Sequence, residues 1–268
     1  MPHRLRAVSA PQRSAAPRRL EMREAPHTRC STCPVRNLAL FEPIKHDLLD
    51  YAQQFRATQY VVEPRQVLYR EGDKISESYT LFAGWVMLYK ELPDGRKTVL
   101  RFSLPGDFLG YQADAEGAIN HSAMALTEGV LCAFPRASLV DLFSARPELS
   151  RRMAHIQSRD MAYCYQHMTS VGQKSARERI AALFLELFYR MRERGACRHS
   201  HDMDFPLTQE DIGGYVGLTT VHVNRVVGQL RDEGLVACGH RRLSILDEPR
   251  LAEVAGFAQD AQRILALL

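Results

Sequence analysis

The sequence predicts an α+β chain in three parts: an N-terminal β-roll of the jelly-roll kind, one long helix, and a C-terminal winged helix-turn-helix. Three observations carry this. Between about residues 60 and 135, short apolar β-branched stretches alternate with turn residues. Residues 148–174 hold no proline and no run of turn residues. The stretch "LTQEDIGGYVGLTTVHVNRVVGQLRDEGLV", 207–236, sets two short helical periods about a glycine.

A chain of 268 residues accommodates two modest domains or one large one. Lys and Arg number 35 against 31 Asp and Glu, a net charge of +4, so affinity for nucleic acid has to be argued from a local patch and not from bulk charge. Six cysteines at irregular spacing do not resemble a disulfide framework, and a reducing, cytoplasmic setting is expected. No stretch approaches the roughly 20 apolar residues of a membrane span, and no secretory h-region is seen, so a soluble protein with no membrane partner is expected.

Residues 1–26 read as a disordered basic arm: the first twenty carry five arginines and no acid, with almost no large apolar side chain to offset ordering entropy. Residues 27–147 form the roll. The stretches "QYVVEP", "VLYREGD", "YTLFAGWVMLYKEL", "KTVLRFSL" and "GVLCAFP" are strands, punctuated at Glu71-Gly72-Asp73, Pro93-Asp94-Gly95 and Pro105-Gly106-Asp107. Asp94-Gly95 is expected to supply the positive φ values of a hairpin. Over 148–174, Met153, Ile156, Cys164, Met168 and Val171 recur at helical spacing. A second copy of the chain can bury such a stripe, and so can the chain's own roll; the expectation taken forward is a dimer interface.

Residues 175–268 form the winged-helix domain, opening with the helix "SARERIAALFLELFYRMRER", whose Ile180, Leu183, Phe184, Leu187 and Phe188 share a face. Thr208 with Asp211 is a capping signature, and Gly217 makes a turn. The helix that begins at Thr219 or Thr220 turns Val223, Val226, Val227 and Leu230 inward and Val221, Asn224, Arg225 and Gly228 outward. That outward face suits a major groove: Arg225 can fork onto a guanine, Asn224 onto an adenine or a phosphate, and Val221 can touch a thymine methyl. Thr219, Thr220 and His222 are counted with it. Behind it, "GLVACGHRRLSILD" reads as two strands whose turn, at His240, Arg241 and Arg242, lies where a phosphate backbone would pass.

A roll, a long helix and a winged helix in this order resemble the CRP/FNR superfamily of bacterial transcription regulators, and "SLPGDFLGYQADAEGAINHSAMALTEGVLCAFPRASL", "SARERIAALFLEL" and "LTQEDIGGYVGLTTVHVNR" are similar to its FNR branch. The resemblance implies a cyclic-nucleotide-binding-like roll and a homodimer on double-stranded DNA with an inverted-repeat operator. It also implies contact with RNA polymerase through the 93–97 hairpin, at Asp94, Arg96 and Lys97. Two departures stand out. The Arg-Ser pair that neutralises a cyclic phosphate is replaced by His121-Ser122, so cyclic AMP is not the expected effector. The glutamate and serine usual before the arginine of the recognition helix are replaced by Val221 and Asn224, so the operator is expected to depart from the TTGA-type half-site.

The same resemblance bears on "CSTCPVRNLALF", residues 30–41. The oxygen-sensing branch holds a 4Fe-4S cluster on three N-terminal cysteines and one in the roll. Cys30 and Cys33 match two of these, Cys132 matches the distant one, and Phe41 stands where the remaining cysteine would be. His27, His46 or an outside thiol could complete a cluster, or a zinc site with the three cysteines; a decayed site is the other reading. Cys164 is a further thiol, and "CRHSHD" (Cys197, His199, His201, Asp202) reads as a flexible polar loop. Two functions follow. One is a sequence-specific transcription regulator responding to oxygen or redox state through the N-terminal Cys site; the other is an effector-independent or partner-controlled regulator. An enzyme built on the roll would need a facial set of histidines and a carboxylate, and 60–135 holds only His121, so no enzymatic activity is expected.

Overall fold

A computed structural model describes residues 22–40, 42, 53–112, 114, 116–195 and 200–256. Among the described residues nine strands build the roll: β1 (Arg23–Glu24), β2 (Thr58–Val62), β3 (Val67–Tyr69), β4 (Glu77–Ala83), β5 (Val86–Glu91), β6 (Lys97–Ser103), β7 (Phe108–Leu109), β8 (Ser122–Ala125) and β9 (Gly129–Pro135). They form a five-stranded sheet, β1-β2-β9-β4-β7, and a four-stranded sheet, β3-β8-β5-β6. Val62, Leu81, Val86 and Leu131 lie in the apolar layer associated with both. Of the arm expected at 1–26, Arg23 and Glu24 are strand residues, paired with Val61 and Tyr60 of β2. Residues 1–21 lie outside the described residues. In the β5–β6 hairpin only Gly95 takes positive φ, at 83°; Asp94 does not, and its carboxylate pairs with Arg96 instead.

Helix α1 (Arg136–Ala145), which the sequence reading passed over, follows β9 directly. The long helix α2 (Pro147–Gln173) begins with proline in its first turn, where a missing N–H costs nothing. Met153 and Ile156 do not belong to a dimer interface: they are 4% and 1% exposed and pack with Leu139, Leu142, Phe134 and Leu40 of their own chain. The apolar side of α1 and the adjoining roll cover that half of the stripe. The distal half stays open, with Met161, Tyr165 and Met168 exposed at 51%, 63% and 69%, beside exposed Cys164 and half-buried Val171.

Helix α3 (Ala176–Glu193) starts with a reciprocal Ser175–Glu178 capping box. Its Ile180, Leu183, Phe184, Leu187 and Phe188 enter a core shared with Trp85, Met87 and Phe102 of the roll. Beyond it come β10 (Asp202–Asp204), α4 (Gln209–Val216), α5 (Thr220–Asp232), β11 (Val236–Gly239), β12 (Arg242–Ile245) and α6 (Glu248–Val254), the strands ordered β10-β12-β11. The flexible loop expected at 197–202 is in part a strand: Asp202 pairs with Ser244, and His201 stacks on Phe188, while Cys197 and His199 lie outside the described residues.

Charge, too, joins the parts. Asp107, 1% exposed in the Pro105-Gly106-Asp107 turn, is met by Arg190 of α3 at 2.8 Å, Arg194 just past the end of α3 at 2.7 Å, Arg159 of α2 at 3.5 Å and Arg101 of β6 at 3.2 Å. Burial alone would raise the Asp107 carboxyl; the four guanidiniums outweigh it and hold it well below the usual carboxylate range.

Candidate nucleic-acid interface

The helix-turn-helix is fixed locally. Thr208 Oγ1 accepts from the Asp211 N–H at 3.1 Å, and the Asp211 carboxylate accepts from the Thr208 N–H at 2.9 Å. Gly217 closes α4 at φ 70°, the left-handed conformation that glycine adopts without cost. A Cβ on Gly213 would stand 2.5 Å from the Leu218 carbonyl oxygen, so the turn also requires glycine there. Thr219 caps α5 by accepting from the His222 N–H.

Packing then sorts the faces of α5. Val223, Val226, Val227 and Leu230 are buried in the shared core, while Thr220, Asn224 and Arg225 are exposed, His222 is half-buried, and Val221 is exposed at 79%. An exposed valine beside an arginine with no ion-pair partner among the described residues is a poor solvent face and a good reading face. Asn224 is less free than expected, since its Oδ1 accepts from Gln209 Nε2 at 3.0 Å.

The wing closes in a two-residue turn. Gly239 pairs with Arg242, and His240 and Arg241 between them take φ values of 50° and 60°, the double positive φ of a type I′ hairpin without the usual glycine. Arg241 is exposed and without an ion pair among the described residues. Arg242 is committed elsewhere, donating to Asp204 Oδ1 at 3.0 Å. A cleft of about 540 Å³ runs beside α5, lined by Asn224, Arg231 and Arg241 on one side and Pro64 and Arg65 of the roll on the other. Arg65 and Arg231, which line this cleft, are not singled out by the sequence; the contact of Arg65 with Asp211 spans 146 positions, beyond any local signal.

The three cysteines do come together. Cys30, Cys33 and Cys132 line one cavity of about 30 Å³, with Arg36, Arg56 and Phe134. Gln59 Nε2 donates to Cys132 Sγ at 3.1 Å, and burial pushes the Cys33 and Cys132 thiols up. His27 faces Arg56 and Thr58, at 3.5 and 3.4 Å; Phe41 and His46 lie outside the described residues. Among the described residues no group of three or more His, Cys, Asp or Glu is arranged to hold a metal ion. The cavity gathers three cysteines, one ligand short of the four that a four-thiolate cluster or a tetrahedral zinc takes, so the described residues alone do not complete either site.

Inside the roll, His121 and Ser122 are engaged within the chain. The Tyr69 hydroxyl lies 3.1 Å from His121 Nε2, and Ser122 Oγ accepts from the Glu71 N–H at 2.9 Å. Buried Arg136 donates to the carbonyls of Ile75, Gly117 and Asp114 and so clamps the loop before His121.

A sheet domain, a long connecting helix and a capped helix-turn-helix with a basic wing define a DNA-binding transcription regulator. The comparisons with known proteins agree: a family described as "Crp-like helix-turn-helix domain" matches residues 178–254, and one described as "Cyclic nucleotide-binding domain" matches 60–146. The nitrogen fixation regulation protein FixK of Bradyrhizobium diazoefficiens is 31% identical over 227 residues, 84% of this chain and 93% of its own. The fumarate and nitrate reduction regulatory protein of Escherichia coli is 26% identical over 231 residues, 86% of this chain and 92% of its own. Among solved structures, FixK2 from Bradyrhizobium japonicum superposes with a TM-score of 0.67 at 27% identity, over 74% of this chain and 96% of that one. A CRP-family transcriptional regulator from Thermus thermophilus superposes with a TM-score of 0.60 at 27% identity, over 73% and 96%. The chain belongs to the CRP/FNR family of transcription regulators, and its relatives are regulators, not enzymes.

Proposed function

We propose that the protein binds double-stranded DNA as a homodimer at an inverted-repeat operator and regulates transcription from there, in the cytoplasm, through contact with RNA polymerase. The observation that carries this reading is the outer face of α5, where Val221, Asn224 and Arg225 are exposed on a helix whose inner face is fully packed. Arg225 forks onto a guanine, Val221 meets a thymine methyl, and Thr219, Thr220 and His222 lie at the helix N-terminus, which favours a phosphate. Arg241 on the wing takes a second phosphate; Arg242 contributes less because Asp204 neutralises it. A second copy covers Met161, Tyr165 and Met168, with Cys164 and Val171 alongside. The hairpin bearing Asp94, Arg96 and Lys97 offers polymerase an exposed polar tip, its Asp94–Arg96 pair 54% and 77% exposed. No helix of the described residues is long and apolar enough to cross a membrane.

Selection from random duplexes by the full chain tests the reading. Enrichment of a two-fold symmetric site whose preference disappears in Arg225→Ala is expected; an unchanged preference in that variant removes α5 as the reading helix. Met168→Glu should shift the dimer toward monomer in sedimentation.

For the signal, the side-chain contacts support the cluster-free reading: a partner- or abundance-controlled regulator with neither a cyclic nucleotide nor a four-thiolate cluster. The convergence of Cys30, Cys33 and Cys132 on one cavity favours a second reading, response to oxygen or redox state at this site. Iron, sulfide and zinc analysis after anaerobic purification separates the two. Stoichiometric iron and sulfide would establish an oxygen-responsive site; a metal-free protein with full operator affinity would establish the first reading.

A further inference from the structure

We propose that Arg65, on the roll, is a positioning residue for sequence reading: through Asp211 and Gln209 it fixes the amide of Asn224, so that base preference at Asn224 depends on the sensor domain. The inference rests on the reading that the outer face of α5 meets DNA.

Arg65 sits between β2 and β3 at φ 66°, a region that side-chain-bearing residues rarely adopt, pinned by its N–H donating to the Ala125 carbonyl at 2.8 Å. A strained backbone at an exposed turn asks for a reason, and the guanidinium supplies one. Its Nη1 and Nη2 donate to the two oxygens of Asp211 at 2.8 and 2.7 Å, a fork that only arginine makes. The Asp211 side chain is 5% exposed and also accepts from the Thr208 N–H and hydroxyl, so the first turn of α4 is held from the roll and from its own cap together.

Gln209 is the first residue of α4, between Thr208 and Asp211 in the gripped turn, and its Nε2 donates to Asn224 Oδ1. Arg65, Thr208, Gln209 and Asn224 line the same cleft. The Gln209 bond holds Oδ1 and so fixes which end of the amide points outward: Nδ2, which has no partner among the described residues, is presented as a donor. The base edge it prefers is therefore an acceptor, such as guanine O6 or N7 or thymine O4. Released from Gln209, the amide can rotate and offer either end, and the position becomes degenerate.

The test measures affinities of the full chain for its selected operator and for duplexes altered at the position that Asn224→Ala relaxes. Expected is a loss of discrimination there of about fivefold or more in both Arg65→Gln and Gln209→Ala, the lower end of typical coupling between sites. No further loss should appear when either change is combined with Asn224→Ala. Other operator positions should keep their preference, which a general loosening of the domain would not allow. Unchanged discrimination in Gln209→Ala, an exposed substitution that leaves folding intact, overturns the relay. Equal loss in the Asn224→Ala background overturns it as well. Arg225→Ala separates the two levels of inference: if it leaves the preference intact, the reading of α5 fails, whereas if it alone acts, the relay fails and the reading stands.

Discussion

The protein uses arginine in two opposite ways, at the Asp107 junction and on the side of the winged helix proposed to face DNA. At the junction Arg101, Arg159, Arg190 and Arg194 surround one buried carboxylate, and the side chain of Arg190 is 2% exposed. On that side of the winged helix Arg225, Arg231 and Arg241 are exposed, with no ion-pair partner among the described residues. Buried guanidiniums have exchanged water for a counter-charge and cannot serve a ligand; exposed ones keep their water and counterions and can exchange both for phosphate. One residue type thus holds the roll, the long helix and α3 together in one place and stays free to meet an anion in the other.

The largest expected effect breaks the first half of the contrast. Asp107→Asn removes the carboxylate that four guanidiniums share, leaving them only Asp160, Glu186 and Glu193 at the edges of the cluster, and should cost about 3–5 kcal/mol in denaturant unfolding; a change near zero would mean that those outer carboxylates suffice. Acid should act on the same group. Its folded-state pKa lies below the ordinary 3.8, so its stabilisation is complete above that pH and drains away as pH falls below it. Unfolding curves between neutral pH and the acid range should therefore be flatter for Asp107→Asn than for the native chain.

Arg225→Ala tests the other half. It should cost about 1–3 kcal/mol of operator binding per half-site while leaving unfolding stability within about 0.5 kcal/mol, as for an ordinary surface change. Smallest is Arg241→Ala, expected to weaken binding to all sequences alike and to reduce the salt dependence by about one phosphate; a change in base preference instead would assign the wing to reading.

The helix-turn-helix was legible because everything that makes it is local. The Thr208–Asp211 cap, Gly217 and the spacing of Val223, Val226, Val227 and Leu230 lie within a few residues of what they control. The long helix was legible as a helix, but its proximal half, Met153 and Ile156, is covered by its own chain and not left open for a partner. Period 3.6 says that Met153 and Ile156 share a face with their neighbours in the stripe, and says nothing about what covers it. The cysteines show the same limit, for Cys30, Cys33 and Cys132 could be matched by spacing and resemblance. Whether the thiols converge as metal ligands depends on side-chain placement across the roll, which Gln59, Arg56 and burial decide.

By itself the sequence determined the order of roll, long helix and winged helix, and the side chains that α5 turns outward, because periodicity, caps and turn residues act over one or two turns of chain. Only the tertiary structure decided that Met161, Tyr165 and Met168 are the open part of the long helix, that four arginines converge on Asp107, and that Arg65 grips Asp211. These depend on which surfaces meet across 30 to 150 positions, as in the 83 residues between Asp107 and Arg190 and the 146 between Arg65 and Asp211. Burial and charge pairing at that range follow from the packed whole and leave no periodic trace in the chain.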